Sequence, residues 1–120
     1  MRAEVKSIIS PDIFDFKTYY PEDDTLFLFL LQITIGTKDT EGGDSLEIEV
    51  CTPKWLIQNY SGKDVIFARG KLIVFEYDLE KILKRITDYC DSCEGATWEE
   101  IVCKISSISL WEFEDYRVRI

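Results

Sequence analysis

Two cysteines of this chain have the spacing of a redox dithiol or of half a zinc site. Cys90 and Cys93 form a Cys-x-x-Cys pair, and Cys51 and Cys103 are the remaining cysteines. The dipole of a helix favours a thiolate at its N-terminus, whereas this pair comes at the end of a predicted helix. Cys51 and Cys103 do not form a second such pair for zinc. We therefore expect free thiols with Cys90 in the core, and no metal; a redox or zinc role for Cys90 and Cys93 is the least favoured alternative.

The chain contains no histidine. Histidine is the commonest general base and metal ligand, so Ser-His-Asp, Cys-His and His-Glu-x-x-His chemistry is excluded. Two carboxylates could still act as acid and base, but 23 aspartates and glutamates create such pairs by chance. Gly42-Gly43 is predicted to be a hairpin tip, and no glycine-rich phosphate loop is present. The sequence predicts no catalytic or cofactor-binding residues, no cofactor and no enzymatic activity.

Charge and length limit the class of partner. The chain has 120 residues, which suits one domain, and its formal charge of −9 disfavours direct binding to nucleic acid. The same charge favours encounter with a basic protein. The longest apolar run, Leu26 to Leu31, is far too short to span a membrane, and the charged start of the chain does not resemble a secretion signal. We expect a soluble, cytoplasmic protein of residues 1–120, of unknown oligomeric state.

The first half of the chain alternates in the manner of strands. A first strand is predicted from Ala3 to Ile9, and a long one, buried on much of both faces, from Thr25 to Ile35. Residues 36–43 suit a hairpin loop. The strand from Leu46 to Cys51 is then expected to pair antiparallel with the long strand, with its glutamates toward water.

The second half is mainly helical. Thr52-Pro53 begins a short helix that is expected to end near Gly62, and Lys71 to Tyr77 adds a strand. Asp78 caps an amphipathic helix with an apolar stripe, and Thr97-Trp98-Glu99-Glu100 is a capping box for another helix. Leu110 to Ile120 is predicted to be a terminal strand or an extended edge. The fold class is therefore α+β, a single domain in which a mainly antiparallel sheet packs against two to three helices.

Two clusters combine carboxylates with aromatic residues, a composition typical of surfaces that bind basic proteins. The first surrounds Glu22-Asp23-Asp24, and the second lies within residues 111–116. The alternative is a solvated loop and an edge strand protected by charge. The candidate partner-binding residues are Tyr20, Glu22, Asp23, Asp24, Trp111, Glu112, Glu114, Asp115 and Tyr116.

Several short stretches, spread over nearly the whole chain, carry a resemblance to a known family. They are Ser10-Pro11-Asp12-Ile13, Tyr20-Pro21-Glu22-Asp23, Cys51-Thr52-Pro53-Lys54-Trp55-Leu56, Glu76-Tyr77-Asp78, Ser92-Cys93-Glu94-Gly95-Ala96-Thr97-Trp98-Glu99-Glu100 and Trp111-Glu112-Phe113-Glu114-Asp115-Tyr116. Together they resemble immunity protein family 8 of bacterial polymorphic toxin and contact-dependent growth inhibition systems.

The resemblance implies a cytoplasmic α+β protein without enzymatic activity. Such a protein binds and neutralises the C-terminal toxin domain of a cognate effector, and many of these toxin domains are nucleases. Because nuclease surfaces are generally basic, the toxin is expected to be basic. Residues 37–44 and 59–69 lie outside the family-like stretches and are further candidates for contacts specific to one partner. The alternative is a general protein-interaction or regulatory module without a toxin partner.

Overall fold

The computed structural model describes residues 1–60, 62 and 64–111. The elements in this part of the chain are β1 Glu4–Ile9, β2 Leu28–Gly36, β3 Asp44–Cys51, α1 Pro53–Asn59, β4 Lys71–Ile73, α2 Leu79–Ser92, α3 Trp98–Ile105 and β5 Leu110–Trp111. Their order and type confirm the predicted α+β class.

The strands form one mixed sheet in which β1, β2 and β3 are neighbours. β2 and β3 make the predicted antiparallel hairpin, in register from Leu28 opposite Cys51 to Ile35 opposite Asp44. The outer edge of β3 is shared by two short strands: β4 pairs in parallel with its C-terminal half, and β5 pairs antiparallel with its N-terminal half. β4 is parallel because the connection through α1 and the loop after it returns the chain to the level of Glu49, from which β4 runs in the same direction as β3.

The core lies on one face of the sheet. The cross-strand pairs Leu31–Ile48 and Ile33–Leu46 are at most 2% exposed. The inner sides of α2 and α3 belong to the same buried cluster, through Ile82, Ile86, Cys90, Ile101 and Ile105. The prediction that the long strand is buried on both faces is wrong in part, since its second face is only half-buried. The glutamates of β3 are half-buried as well, and Glu49 accepts a 2.8 Å hydrogen bond from the Lys71 ammonium.

The predicted helix starts are confirmed by their capping hydrogen bonds. The hydroxyl of Thr52 accepts from the amide of Trp55, the carboxylate of Asp78 from that of Lys81, and the hydroxyl of Thr97 from that of Glu100. These bonds satisfy amides that have no partner within the helix. In the third case the Glu100 carboxylate accepts from the amide of Ala96, one residue before the cap itself.

Several element bounds differ from the sequence prediction. β2 begins at Leu28 instead of Thr25, because the Asp23 carboxylate accepts from both the amide and the hydroxyl of Thr25 and holds a turn there. α1 ends at Asn59, because Tyr60 is extended. β4 is confined to three residues, Lys71–Ile73. The predicted terminal strand begins at Leu110, and its residues 112–120 lie outside the described part of the chain.

Candidate partner-binding surface

Two loops meet at one end of the sheet, where β2 begins and β3 ends. The amide of Tyr77 donates a 2.7 Å hydrogen bond to the carbonyl of Asp24, and the amide of Val74 donates a 2.9 Å bond to the carbonyl of Cys51. These bonds place the loop that precedes β2 beside the loop that follows β4. Residues that are far apart in the sequence therefore share one surface.

We call this surface the acidic-aromatic surface. It comprises Tyr20, Glu22, Asp23, Asp24, Phe75, Glu76 and Asp78. The first four were predicted from the sequence, whereas Phe75, Glu76 and Asp78 were not assigned to a site, since the sequence alone gave no reason to place them beside Tyr20. Tyr20 is 62% exposed and Phe75 is 78% exposed. Five carboxylates and two exposed aromatic rings on adjoining loops suit a basic protein surface.

Beneath the exposed residues lies a group of packed rings. Tyr77 is 8% exposed, and its ring centroid lies 5.1 Å from that of Tyr20 and 5.7 Å from that of Tyr19, both nearly perpendicular to it. Phe27 contacts Tyr77 from the core side at 5.6 Å. The edge-to-face arrangement is favourable for aromatic pairs, so the surface is anchored in the core.

The surroundings favour the charged form of the Asp23 carboxylate and the neutral form of the Tyr20 phenol. The pKa of Asp23 is lowered by the hydrogen bonds from Thr25, with a smaller contribution from the Lys54 ammonium. The pKa of the Tyr20 phenol is raised because neighbouring groups displace part of its water. The negative charges of Asp24, Glu76 and Asp78 raise it further. At neutral pH the Asp23 carboxylate is therefore charged and the Tyr20 phenol is neutral.

A groove of about 620 Å³ adjoins the surface on the side of α1. Thr52 shapes it, because its buried hydroxyl accepts from the amides of both Phe27 and Trp55 and so joins the start of β2 to the start of α1. The residues along the groove include Tyr19, Tyr20, Glu22, Asp23, Phe27 and Trp55. A concave, partly apolar wall beside an acidic rim can receive a protruding side chain of a protein partner.

Trp111, the one residue of the second predicted cluster that the structure describes, lies away from the acidic-aromatic surface. Trp111 pairs with Leu46 near the start of β3, whereas the acidic-aromatic surface lies beyond Cys51 at its other end. Cys51 is five residue steps along the strand from Leu46, which corresponds to about 17 Å. Of the second cluster, Glu112, Glu114, Asp115 and Tyr116 lie outside the described residues, so their partner-binding role stays a prediction.

The two further candidate segments differ in character. In residues 37–44 the Thr40 hydroxyl donates to the carbonyl of Thr37, and Asp44 accepts a 2.5 Å bond from the Trp98 indole, so this loop is tied to the fold. In residues 59–69, of which 61 and 63 are not described, Val65 and Phe67 are almost completely exposed. That segment therefore offers apolar surface, a property that its mixed sequence did not reveal.

The four cysteines are free, as predicted. Cys51, Cys90 and Cys93 are buried and Cys103 is exposed. Burial raises the pKa of the Cys90 thiol to about 12 and raises that of Cys93, which disfavours the thiolate that redox chemistry requires.

Among the described residues, no group of three or more cysteine or carboxylate side chains is placed to hold a metal ion. No helix in that part of the chain is long and apolar enough to cross a membrane.

A family model described as Immunity protein 8 matches residues 3–116 of the chain. No curated protein matches the chain, and no solved structure matches it. The matched range includes the acidic-aromatic surface as well as the second cluster.

Proposed function

Because the chain belongs to the Immunity protein 8 family, an immunity protein family of polymorphic toxin systems, we propose that it binds and neutralises the C-terminal toxin domain of a cognate effector. Inhibition is stoichiometric and non-catalytic, and it takes place in the cytoplasm of the cell that the protein protects. The family match confirms the resemblance found in the sequence and favours this function over a general interaction module.

The acidic-aromatic surface is the observation that carries the proposed mode of binding. Its five carboxylates attract a basic surface, and its exposed rings of Tyr20 and Phe75 supply the type of side chain that anchors protein interfaces. Many toxin domains act on nucleic acid, and such a domain needs a basic surface to bind the phosphates of its substrate. A nuclease domain is therefore the type of toxin that this surface suits best.

Neutralisation follows from occupying the basic surface that the toxin uses for its substrate. A complex of standard size buries about 1,200–2,000 Å² in total and involves about 20–30 residues on each side, more than the acidic-aromatic surface alone provides. The exposed apolar residues Val65 and Phe67 and the predicted cluster of residues 111–116 are candidates for additional contacts. An immunity protein needs no chemistry of its own, which agrees with a chain that lacks histidine.

The experiment is co-expression of the chain with the C-terminal domain encoded by the gene immediately upstream, followed by growth measurements and purification through a tag on the toxin. Rescue of growth together with a 1:1 complex supports the proposal. Continued killing with no complex contradicts it for that pair. A catalytically inactive toxin variant, expressed with and without the chain, provides the control for effects of expression itself.

A further inference from the structure

A small pocket lies at the outer edge of β3, on the side of α2. Its volume is about 250 Å³, and its inner wall includes Ile48 and Ile86, which are both 2% exposed. Ile48 is the residue of β3 between the part that pairs with β4 and the part that pairs with β5. The pocket therefore lies where neither short strand pairs with β3.

Hydrogen bonds hold one wall of this pocket in place. The amide of Lys71 donates to the carbonyl of Ala68, and Gly70 lies within this turn at a φ of 78°, a conformation that favours glycine. The guanidinium of Arg69, in the same turn, donates a 3.1 Å hydrogen bond to the carbonyl of Ser106 at the end of α3. The turn is thus tied to the neighbouring helix, and the pocket is present without a partner.

The charge of this pocket is opposite to that of the whole chain. Among its described lining residues, Arg69, Lys71 and Arg85 are cationic and none is acidic, although the chain carries a net charge of −9. Three cations beside an apolar wall suit a group that is anionic at its tip and hydrocarbon along its stem.

Arg85 is the cation of this pocket that is open to a partner. The Lys71 ammonium is only 2.8 Å from the Glu49 carboxylate, so its charge is compensated within the fold. Arg85 is exposed, and in the part of the chain that the structure describes it forms no ion pair. Asp88, three residues further along α2, accepts a 2.7 Å hydrogen bond from Lys84 instead.

We infer that this pocket receives an acidic side chain, an aspartate or a glutamate, of the toxin, with Arg85 as its charged partner. This inference rests on the proposed function. The carboxylate accepts hydrogen bonds from the Arg85 guanidinium, whose donors form a fork that matches a carboxylate, and the methylene groups pack on the apolar wall. The volume is below the range of about 300–1,000 Å³ that is usual for small-molecule sites and suits a single side chain.

The pocket adjoins the surfaces that we assign to the toxin. Val65 and Phe67, which are almost completely exposed, directly precede the turn that lines it. Asp78, the cap of α2, is seven residues from Arg85, which corresponds to about 10 Å along the helix. One interface of standard size therefore covers the pocket and the acidic-aromatic surface together. A single acidic side chain on an otherwise basic toxin surface then fixes the orientation of the complex.

Arg85→Gln tests the pocket, with Lys81→Gln as the matched control. Both variants remove one exposed positive charge from α2, but Lys81 does not line the pocket. Arg85→Gln should weaken the complex with catalytically inactive toxin about tenfold or more, since hydrogen bonds between charged groups are lost, and should leave the melting temperature unchanged. Lys81→Gln should leave the dissociation constant unchanged or lower it, because a more negative chain attracts a basic toxin more strongly.

The acidic partner is identified by double-mutant cycles. Each exposed aspartate and glutamate of the inactive toxin is changed to alanine and titrated against wild type and Arg85→Gln by calorimetry. One position should lose affinity with wild type but show little further loss with Arg85→Gln, and its exchange for arginine should restore binding to Arg85→Glu.

The outcomes separate this inference from the proposed function. If Arg85→Gln binds as tightly as wild type, or if no acidic position of the toxin couples to Arg85, the assignment of an acidic side chain to the pocket is wrong while the immunity function stands. If wild type forms no complex, the proposed function fails, and this inference with it.

Discussion

The amide of Tyr77 and the carbonyl of Asp24 are joined by a 2.7 Å hydrogen bond. This bond fixes the loop after β4 against the loop before β2, and it brings Glu76 and Asp78, together with Asp24, within electrostatic range of the Tyr20 phenol. The surface that we assign to the toxin exists only because these two loops are held together. Its geometry is therefore part of the fold and does not depend on the partner.

Thr52 is predicted to be the residue on which this end of the sheet depends. Thr52→Val keeps the shape of the side chain but leaves the amides of Phe27 and Trp55 without their acceptor. The expected loss in the free energy of unfolding is about 1–3 kcal/mol, measured by urea denaturation. Thr18→Val is the control, because Thr18 is exposed, and it should change stability by less than about 0.5 kcal/mol. Equal stability of Thr52→Val and wild type would show that the buried hydroxyl does not hold the two elements together.

Thiol labelling is expected to separate the cysteines by their burial. In the native protein a thiol reagent such as Ellman's reagent should react rapidly with Cys103 alone, since the other three cysteines are buried. After denaturation all four should react. Cys103→Ser should abolish the rapid phase. A rapid phase that survives in this variant would show that Cys90 or Cys93 is accessible and would revive the redox interpretation.

The buried thiol of Cys90 is also expected to make the fold sensitive to alkali. Its pKa is about 12 in the folded protein against 9.0 for an ordinary thiol, because burial penalises the charged form. Below pH 9 the thiol is protonated in both the folded and the unfolded state, so its titration does not reduce the free energy of unfolding. Between about pH 9 and 12 the unfolded chain loses the proton first, and stability falls by up to about 1.4 kcal/mol per pH unit.

The variant Cys90→Ala isolates this contribution from the other groups that titrate in alkali. It should be less stable than wild type at pH 8, because it leaves a small cavity in the core. Its stability should fall less steeply between pH 9 and 11, as measured by urea denaturation at each pH. If stability falls with pH at the same rate in the two proteins, the pKa of Cys90 does not differ between the folded and unfolded states.

The sequence predicted most of the elements because their signals are local. The caps at Thr52, Asp78 and Thr97 and the alternation in β1, β2 and β3 each depend on a few neighbouring residues, and the structure has these elements at or near the predicted bounds. The parallel pairing of β4 was not predicted, since the direction of a three-residue strand depends on the connection through α1 and the following loop.

Only part of the candidate surface could be predicted, because only part of it is formed by residues that are neighbours in the sequence. Tyr20, Glu22, Asp23 and Asp24 are adjacent in the sequence, and their composition indicated a partner. Glu76 and Asp78 join them through a long-range backbone hydrogen bond, for which no local pattern exists. The burial of Tyr77 likewise depends on packing, since nothing in the sequence around it indicates contacts with Tyr19 and Tyr20.

The most direct test of the account is the association rate of inactive toxin with charge-reversed variants, measured by stopped-flow at low and high salt. Glu22→Lys with Glu76→Lys reverses two exposed charges on the acidic-aromatic surface, and Glu41→Lys with Asp91→Lys makes the same change of net charge elsewhere. The account predicts that the first pair slows association about tenfold or more at low salt, that the control pair has a much smaller effect, and that salt reduces the difference. Equal rates for the two pairs would contradict the assignment of the toxin to this surface.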